Sequence, residues 1–174
     1  MAHVYVSLGT NINREFYLKQ GLDALSLHFG TLTLSSLFES EAVGFDGKPF
    51  YNMAIGFETH HSVEQVSEIL RVIEFANGRS LQAKKFSPRT LDLDMLLYDQ
   101  LILNSPVQIP RHEITENAFV LWPLAEIAPD LLHPKLGCSY RYLWAEYDKS
   151  KQHLQAVPLH WQQKVISKES ETNL

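Results

Sequence analysis

The chain has 174 residues, of which 45% are hydrophobic and 20% are charged, and its formal net charge is −5. These values are typical of a globular domain, and the acidic balance argues against a nucleic-acid-binding protein, which usually carries a basic excess. Cys138 is the single cysteine of the sequence, which excludes an internal disulfide, a cysteine zinc site and a CxxC redox motif.

The N-terminal run MAHVYVSLGTN has no basic segment of the kind that starts a secretion signal, and it enters a strand pattern directly. No apolar run approaches the roughly 20 residues that a membrane helix needs. We therefore expect a cytoplasmic protein that does not bind membranes, with residues 1–174 forming one domain.

The first predicted elements are a strand, a helix and two further strands. Alternating apolar residues predict a strand over residues 3–9. Apolar residues at helical spacing predict a helix that Asn13 caps at its start and Gly30 ends. Strand patterns return over residues 31–40 and 49–59, on either side of a loop with two glycines at 41–48.

A second helix and a fourth strand follow. Ser62 and Gln65 have the spacing of a capping box, and Gly78 ends the apolar stripe that begins there. After a basic loop, alternation over residues 90–99 predicts the fourth strand. The order β-α-β-β-α-β predicts an α+β fold of the ferredoxin-like class, in which an antiparallel sheet carries both helices on one face.

The remainder of the chain is interpreted as additions to this unit. The runs ENAFVLWPLAEIAPDLLHP and SYRYLWAEYDKS predict two added helical segments, and LQAVPLH predicts a short edge strand. The polar end, from about residue 165 to residue 174, is expected to be a disordered tail.

Asp92 and Asp94 are the first candidate functional residues. In the run TLDLDMLL, alternation places both carboxylates on one face of the strand, about 7 Å apart. Two like charges at that distance raise each other's pKa unless a cation lies between them, and a hard divalent ion such as Mg²⁺ suits the pair. The alternative is a solvated strand face with two surface aspartates.

Four cationic residues directly precede the acidic strand: Arg79, Lys84, Lys85 and Arg89. They could pair with the carboxylates, or they could bind phosphate. The sequence contains neither the GxxxxGK[ST] nor the GxGxxG motif. The acidic pair and the basic loop together favour metal-assisted phosphoryl transfer, with the nucleotide held by side chains and metal.

The run SPRTLDLDMLLYD resembles the signature of the 6-hydroxymethyl-7,8-dihydropterin pyrophosphokinases of the folate pathway. Further similarity over residues 1–134 lies in VSLGTN, FYNMAIGFET, IEFANGR and AFVLWPLAEIAPDLLHP. The resemblance implies transfer of the β,γ-pyrophosphoryl group of ATP to the pterin hydroxymethyl group, release of AMP and use of two Mg²⁺ ions. Family members often act as monomers, and a monomer is expected here.

The resemblance also implies roles for individual residues. Asp92 and Asp94 would hold the metal, and with Arg79 and Arg89 they would form the catalytic set. The pterin would bind to Ser40, Val43, Phe50, Asn52, Phe86 and Phe119, although Phe50 and Phe119 could equally be ordinary core residues. ATP would contact Glu74, Lys85, Arg111 and His112, and the loops 41–48 and 79–89 would act as lids.

Several positions depart from the family pattern. Arg111 stands where the family generally has a histidine that touches ATP, and Leu81 and Asn117 stand where arginines are common. Loss of cationic residues predicts weaker nucleotide binding. These departures leave open a divergent paralogue that binds pterin or nucleotide without full activity. A second alternative is an RNA-binding domain, because RNA-binding domains can have the same strand order.

Overall fold

The computed structural model describes residues 1–40, 48–78, 90–162 and 164–167. The strands there are β1 (Ala2–Thr10), β2 (Thr33–Leu34), β3 (Leu37–Ser40), β4 (Phe50–Thr59), β5 (Asp92–Tyr98), β6 (Leu154–Val157), β7 (Leu159–Trp161) and β8 (Lys164–Ser167). The helices there are α1 (Arg14–Phe29), α2 (Val63–Ala76), α3 (Glu113–Glu116), α4 (Ala118–Ile127) and α5 (Tyr140–Glu146).

The main sheet is antiparallel and has the order β5-β1-β4-β3-β6, with β2 also paired to β4. Its first four strands have the order of a ferredoxin-like β-α-β-β-α-β unit, so the predicted fold class is confirmed. The single strand predicted over residues 31–40 is wrong in one respect, because the chain breaks into β2 and β3. At the break, the hydroxyl of Ser35 accepts the Ala54 amide proton at 2.8 Å, so a side chain replaces a carbonyl of the ladder.

The first face of the sheet is covered by α1 and α2. Buried side chains from both helices and from β1, β4 and β5 form one cluster, which includes Leu22, Leu70, Val6, Ile55 and Leu93. The predicted capping box at the start of α2 is present. Asn13 precedes α1 as predicted, but it adopts a left-handed conformation and its side chain makes no capping bond.

The second face is partly covered by α3, α4 and α5, three helices where the sequence predicted two helical segments. Helix α4 lies mainly on β4 and β3, and the three helices together bury Leu96 and Leu97 of β5. These two neighbours lie on the same face because the pairing of β1 with β5 shifts between Tyr5 and Val6, which leaves Leu96 as an extra residue. Alternation therefore holds for Asp92 and Asp94 and fails after the shift.

The C-terminal prediction needs a correction at its boundary. The predicted edge strand is β6, which pairs with β3. The expected disordered tail from about residue 165 begins too early, because β8 pairs with β7 through a left-handed turn at Gln162. Residues 168–174 lie outside the described part of the chain. None of the helices in the described ranges combines the length and the hydropathy that a bilayer crossing requires.

Candidate functional site

Three neighbouring strands bring the central candidate residues to one end of the second face. Asp92 of β5 pairs with Gly9 of β1, and Gly9 pairs with Asn52 of β4. Residues paired across antiparallel strands point to the same face, and strands are about 4.8 Å apart, so Asp92 and Asn52 are separated by about 10 Å. Asp94 lies on the same face, paired with Ser7.

Gly9 lies between the acidic strand and Asn52, and its lack of a side chain lets the Asn52 amide and the Phe50 ring lie close to β1. A Cβ atom at this position would lie 3.3 Å from Oδ1 of Asn52 and 3.8 Å from the ring of Phe50. The absence of a side chain therefore leaves a shallow floor, bounded by carboxylates on one side and an amide on the other. No sequence pattern distinguishes Gly9 from the other residues of its strand.

The amide side of the site is held by hydrogen bonding. Asn52 is buried, and its Nδ2 donates to the hydroxyl of Ser40 at 2.7 Å. Such a bond fixes the orientation of the amide and meets the requirement that a buried polar group have a partner. The family resemblance implies that both residues bind the pterin, and that role stays a prediction.

Two aromatic residues flank this amide pair. Phe50 begins β4 opposite Ser40, and Phe119 lies in the first turn of α4. Both rings are only partly buried, and Phe119 packs at the margin of the second cluster. The alternative of ordinary core packing therefore stays open, and each partly exposed ring could offer part of its face to a ligand.

The acidic side of the site is electrostatically unfavourable by itself. Burial, followed by the like charge of Asp92, raises the pKa of Asp94 to about 8, and the nearby Arg111 guanidinium opposes this shift. Among the described residues, no group of three or more His, Cys, Asp or Glu side chains is arranged to hold a metal ion. Two carboxylates alone suit a cation such as Mg²⁺, which is commonly held by one or two carboxylates together with phosphate oxygens.

Glu74 supports the acidic strand from the side. It lies near the end of α2, is 7% exposed, and its Oε2 accepts the Leu93 amide proton at 2.9 Å. Leu93 lies between the two aspartates on β5, which is the edge strand of the sheet among the described residues, so the Glu74 carboxylate takes the place of a carbonyl from a neighbouring strand. The structure thus gives a definite contact to a residue for which the sequence predicted proximity to ATP, and that role stays a prediction.

Arg111 reaches the same strand from the other direction. The chain after β5 folds back through a bridge between Leu103 and Ile109, and the Arg111 amide donates to the Leu96 carbonyl at 3.0 Å. Nη2 of Arg111 lies 3.4 Å from Oδ1 of Asp94 and 2.9 Å from Oε1 of Glu113. Burial lowers the pKa of Arg111, but the charges of Asp94, Glu113 and Asp92 outweigh it and the pKa is raised.

His112 does not join this cluster in the described conformation. Its ring contacts Gln108 at 2.8 Å and Glu116 at 3.9 Å, and its side chain is 55% exposed. Asn117 also has a structural partner: its Oδ1 accepts from Gln152 at 3.0 Å, while Oε1 of Gln152 accepts the Ala118 amide proton at 2.8 Å. Gln152 thus satisfies a backbone group at the start of α4.

Five predicted site residues lie outside the described ranges: Val43, Arg79, Lys85, Phe86 and Arg89. Their predicted roles stay predictions, as does the action of the loops that contain them. Lys48 at the end of the first loop and Thr90 directly after the second are tied to the end of β1. Thr10 donates to the carbonyl of Thr90, and Asn11 donates to the carbonyl of Lys48 at 3.2 Å.

Comparison with known proteins identifies what this chain is similar to. The family model described as 7,8-dihydro-6-hydroxymethylpterin-pyrophosphokinase matches residues 5–129. The 2-amino-4-hydroxy-6-hydroxymethyldihydropteridine pyrophosphokinase of Bacillus subtilis (strain 168) is 38% identical over 128 residues, which is 71% of this chain and 76% of that protein. The corresponding protein of Haemophilus influenzae is 36% identical over 139 residues, 77% of this chain and 86% of that one.

Longer proteins share the same region. The folic acid synthesis protein fol1 of Pneumocystis carinii is 37% identical over 140 residues, 78% of this chain but only 19% of the fungal protein. The crystal structure of wild-type HPPK-DHPS from Plasmodium falciparum has a TM-score of 0.71 at 13% identity, covering 94% of this chain and 49% of that one. At that identity the likeness supports the fold alone.

Proposed function

The chain belongs to the 7,8-dihydro-6-hydroxymethylpterin-pyrophosphokinase family, and we propose that it performs pyrophosphoryl transfer with the residues described above. It is an ATP-dependent pyrophosphokinase of folate biosynthesis. The hydroxymethyl oxygen of the dihydropterin forms a bond to the β-phosphorus of ATP and its proton is released to solvent. The bond from that phosphorus to the oxygen shared with the α-phosphate breaks, and AMP leaves with that oxygen. ATP and 6-hydroxymethyl-7,8-dihydropterin are thus the substrates.

The observation that carries this proposal is the arrangement on the second face of the sheet. Asp92 and Asp94 lie on one side of the open floor at Gly9, and the Asn52–Ser40 pair lies on the other. A phosphate chain suits the acidic side when a cation accompanies it, and a flat heterocycle with donors and acceptors suits the amide side. The two substrates can therefore meet above one floor.

Pterin recognition is assigned to the amide side. Asn52 both donates and accepts, so it can pair with the donor–acceptor edge of the ring, and Ser40 fixes its orientation. Phe50 and Phe119 supply the aromatic faces. Val43 and Phe86 complete the predicted pterin contacts.

Asp92 and Asp94 would hold the Mg²⁺, with the remaining ligands coming from phosphate oxygens. When bound, Mg²⁺ neutralises phosphate charge and orients the attacking and leaving oxygens, and the family resemblance predicts two ions. Glu74 keeps the strand between the two carboxylates in place through Leu93. Arg111, Arg79 and Arg89 would stabilise negative charge on the phosphates, with Lys85 and His112 as further predicted nucleotide contacts.

The direct test is release of AMP from Mg-ATP with and without 6-hydroxymethyl-7,8-dihydropterin. We expect pterin-dependent AMP in the wild-type protein and a loss on the order of 10²–10³-fold or more in Asp94→Asn, since electrostatic stabilisation of the transferring group is removed. Asp99→Asn is a matched control, because Asp99 directly follows the same strand and accepts the His3 amide proton at 2.7 Å.

Each outcome has a distinct meaning. Full activity in Asp94→Asn would refute the metal role of Asp94. A folded wild-type protein that binds the pterin and forms no AMP would favour the divergent paralogue over the enzyme. The monomeric state and the cytoplasmic location stay predictions of the sequence, and the first of them is measurable by light scattering.

A further inference from the structure

Arg111 is shared unequally between two carboxylates. Its Nη2 and Nε lie 2.9 Å and 3.1 Å from Oε1 of Glu113, whereas Nη2 lies 3.4 Å from Oδ1 of Asp94. Hydrogen bonds of this type have lengths of about 2.7–3.2 Å. Glu113 therefore holds the guanidinium by a hydrogen bond from Nε and a close ion pair at Nη2, and Asp94 receives only the attraction of a nearby charge.

The backbone around this contact is fixed, so the choice between the two carboxylates is made by the side chain. The Arg111 amide donates to Leu96 of β5, and its carbonyl accepts from the fully buried Ile114 at 3.2 Å. The side chains of Arg111, Asp94 and Glu113 are each about one-quarter exposed, so water moderates their attraction but does not remove it. A small change of rotamer would bring the guanidinium into full contact with Asp94.

Such a contact would compete with a metal ion. A guanidinium bound directly to Asp94 occupies a carboxylate oxygen and places a positive charge where a divalent cation must bind. With Glu113 present, the guanidinium is held back while it stays within reach of a phosphate group that a cation would bring to Asp94.

We propose that Glu113 is a positioning residue that keeps Asp94 available to a divalent cation by holding Arg111 at a distance. The inference rests on the proposed function, in which Asp94 is a metal ligand. It assigns a task to a carboxylate that neither the sequence pattern nor the family resemblance singled out. The cation can then bind to the acidic strand before the nucleotide arrives.

The test is a titration of the full chain with Mn²⁺ alone, in which the electron paramagnetic resonance signal measures the concentration of the free ion. Mn²⁺ accepts the same oxygen ligands as Mg²⁺, and omission of nucleotide removes any contact between Arg111 and phosphate. Glu113→Ala should weaken Mn²⁺ binding by about two- to fivefold, the range expected for one partly exposed ion pair. Glu116→Ala is the control, because Glu116 contacts His112 instead.

A double-mutant cycle separates this mechanism from a general loss of negative charge. Arg111→Ala should tighten Mn²⁺ binding more in the Glu113→Ala background than in the wild-type protein, because only there does Arg111 contact Asp94 directly. Equal effects in the two backgrounds, or unchanged binding in Glu113→Ala, would overturn the inference. Wild-type protein that binds no Mn²⁺ would also overturn it, while pterin-dependent release of AMP in the presence of Mg²⁺ would leave the proposed function standing.

Discussion

Replacing Gly9 by alanine tests whether the floor between the carboxylates and Asn52 is a ligand-binding surface. The new Cβ would lie 3.3 Å from Oδ1 of Asn52. A ligand donor approaches such an oxygen to about 2.9 Å, so the methyl group would compete for the space that a bound pterin needs. Gly9 lies within a strand, where alanine adopts the same backbone without strain.

The expected effect on binding is large and the effect on folding is small. Loss of one hydrogen bond to a buried amide costs about 1–3 kcal/mol, which weakens pterin binding about 5- to 150-fold. Alanine in a strand is favoured over glycine by roughly 0.5–1 kcal/mol, which offsets the tight contact with Asn52. The melting temperature should therefore change by less than about 4 °C.

Calorimetric titration of the pterin in the presence of Mg²⁺ and a non-hydrolysable ATP analogue measures the first effect, and thermal unfolding measures the second. Gly56→Ala is the matched control on the same face: its Cβ would lie 3.0 Å from the ring of Tyr5, so it should lower stability and leave pterin affinity unchanged. If folded Gly9→Ala binds the pterin with wild-type affinity, the floor at Gly9 is not a ligand-binding surface.

Three further predictions concern supporting contacts. Glu74→Ala should lower the free energy of unfolding by about 1.5–3 kcal/mol because the Leu93 amide loses a charged acceptor, and Glu74→Gln should recover most of it in urea unfolding; equal losses would contradict this role. Burial, followed by nearby Lys135, lowers the pKa of His133, so acidification through the unfolded-state value near 6.5 should reduce the wild-type melting temperature. The fall should be smaller in His133→Asn, and parallel pH curves would refute the assignment. Asn117→Arg should lower the free energy of unfolding by about 1 kcal/mol, because Gln152 loses its hydrogen bond to Asn117. An unchanged midpoint of urea unfolding would show that this hydrogen bond does not contribute to stability.

Features that depend on local spacing could be predicted from the sequence. Alternation in β5 placed Asp92 and Asp94 on one face, because side chains in a strand point to opposite sides in turn. The capping box at Ser62 is equally local and is present. The family resemblance assigned Ser40 and Asn52 to the same pterin-binding set, and the structure joins their side chains by a hydrogen bond.

Features that depend on contacts between distant segments could not. Glu113 meets Asp94 through Arg111 only because the chain folds back between Leu103 and Ile109, and no periodicity encodes that return. The break at Ser35 depends on a side-chain hydrogen bond to Ala54 on another strand, 19 residues away along the chain.

The unequal cover of the second face has a consequence for the stability of the protein. Helix α4 packs mainly on β4 and β3, and helices α3 to α5 enclose Leu96 and Leu97 of β5. The end of the face at Asp92 presents carboxylates, a bare glycine and an amide. Substrates that bind there would cover the part of the second face that helices α3 to α5 leave exposed. A ligand at a hundred times its dissociation constant adds about 2.7 kcal/mol to the free energy of unfolding, so the lifetime of the folded enzyme would follow the supply of its own substrates.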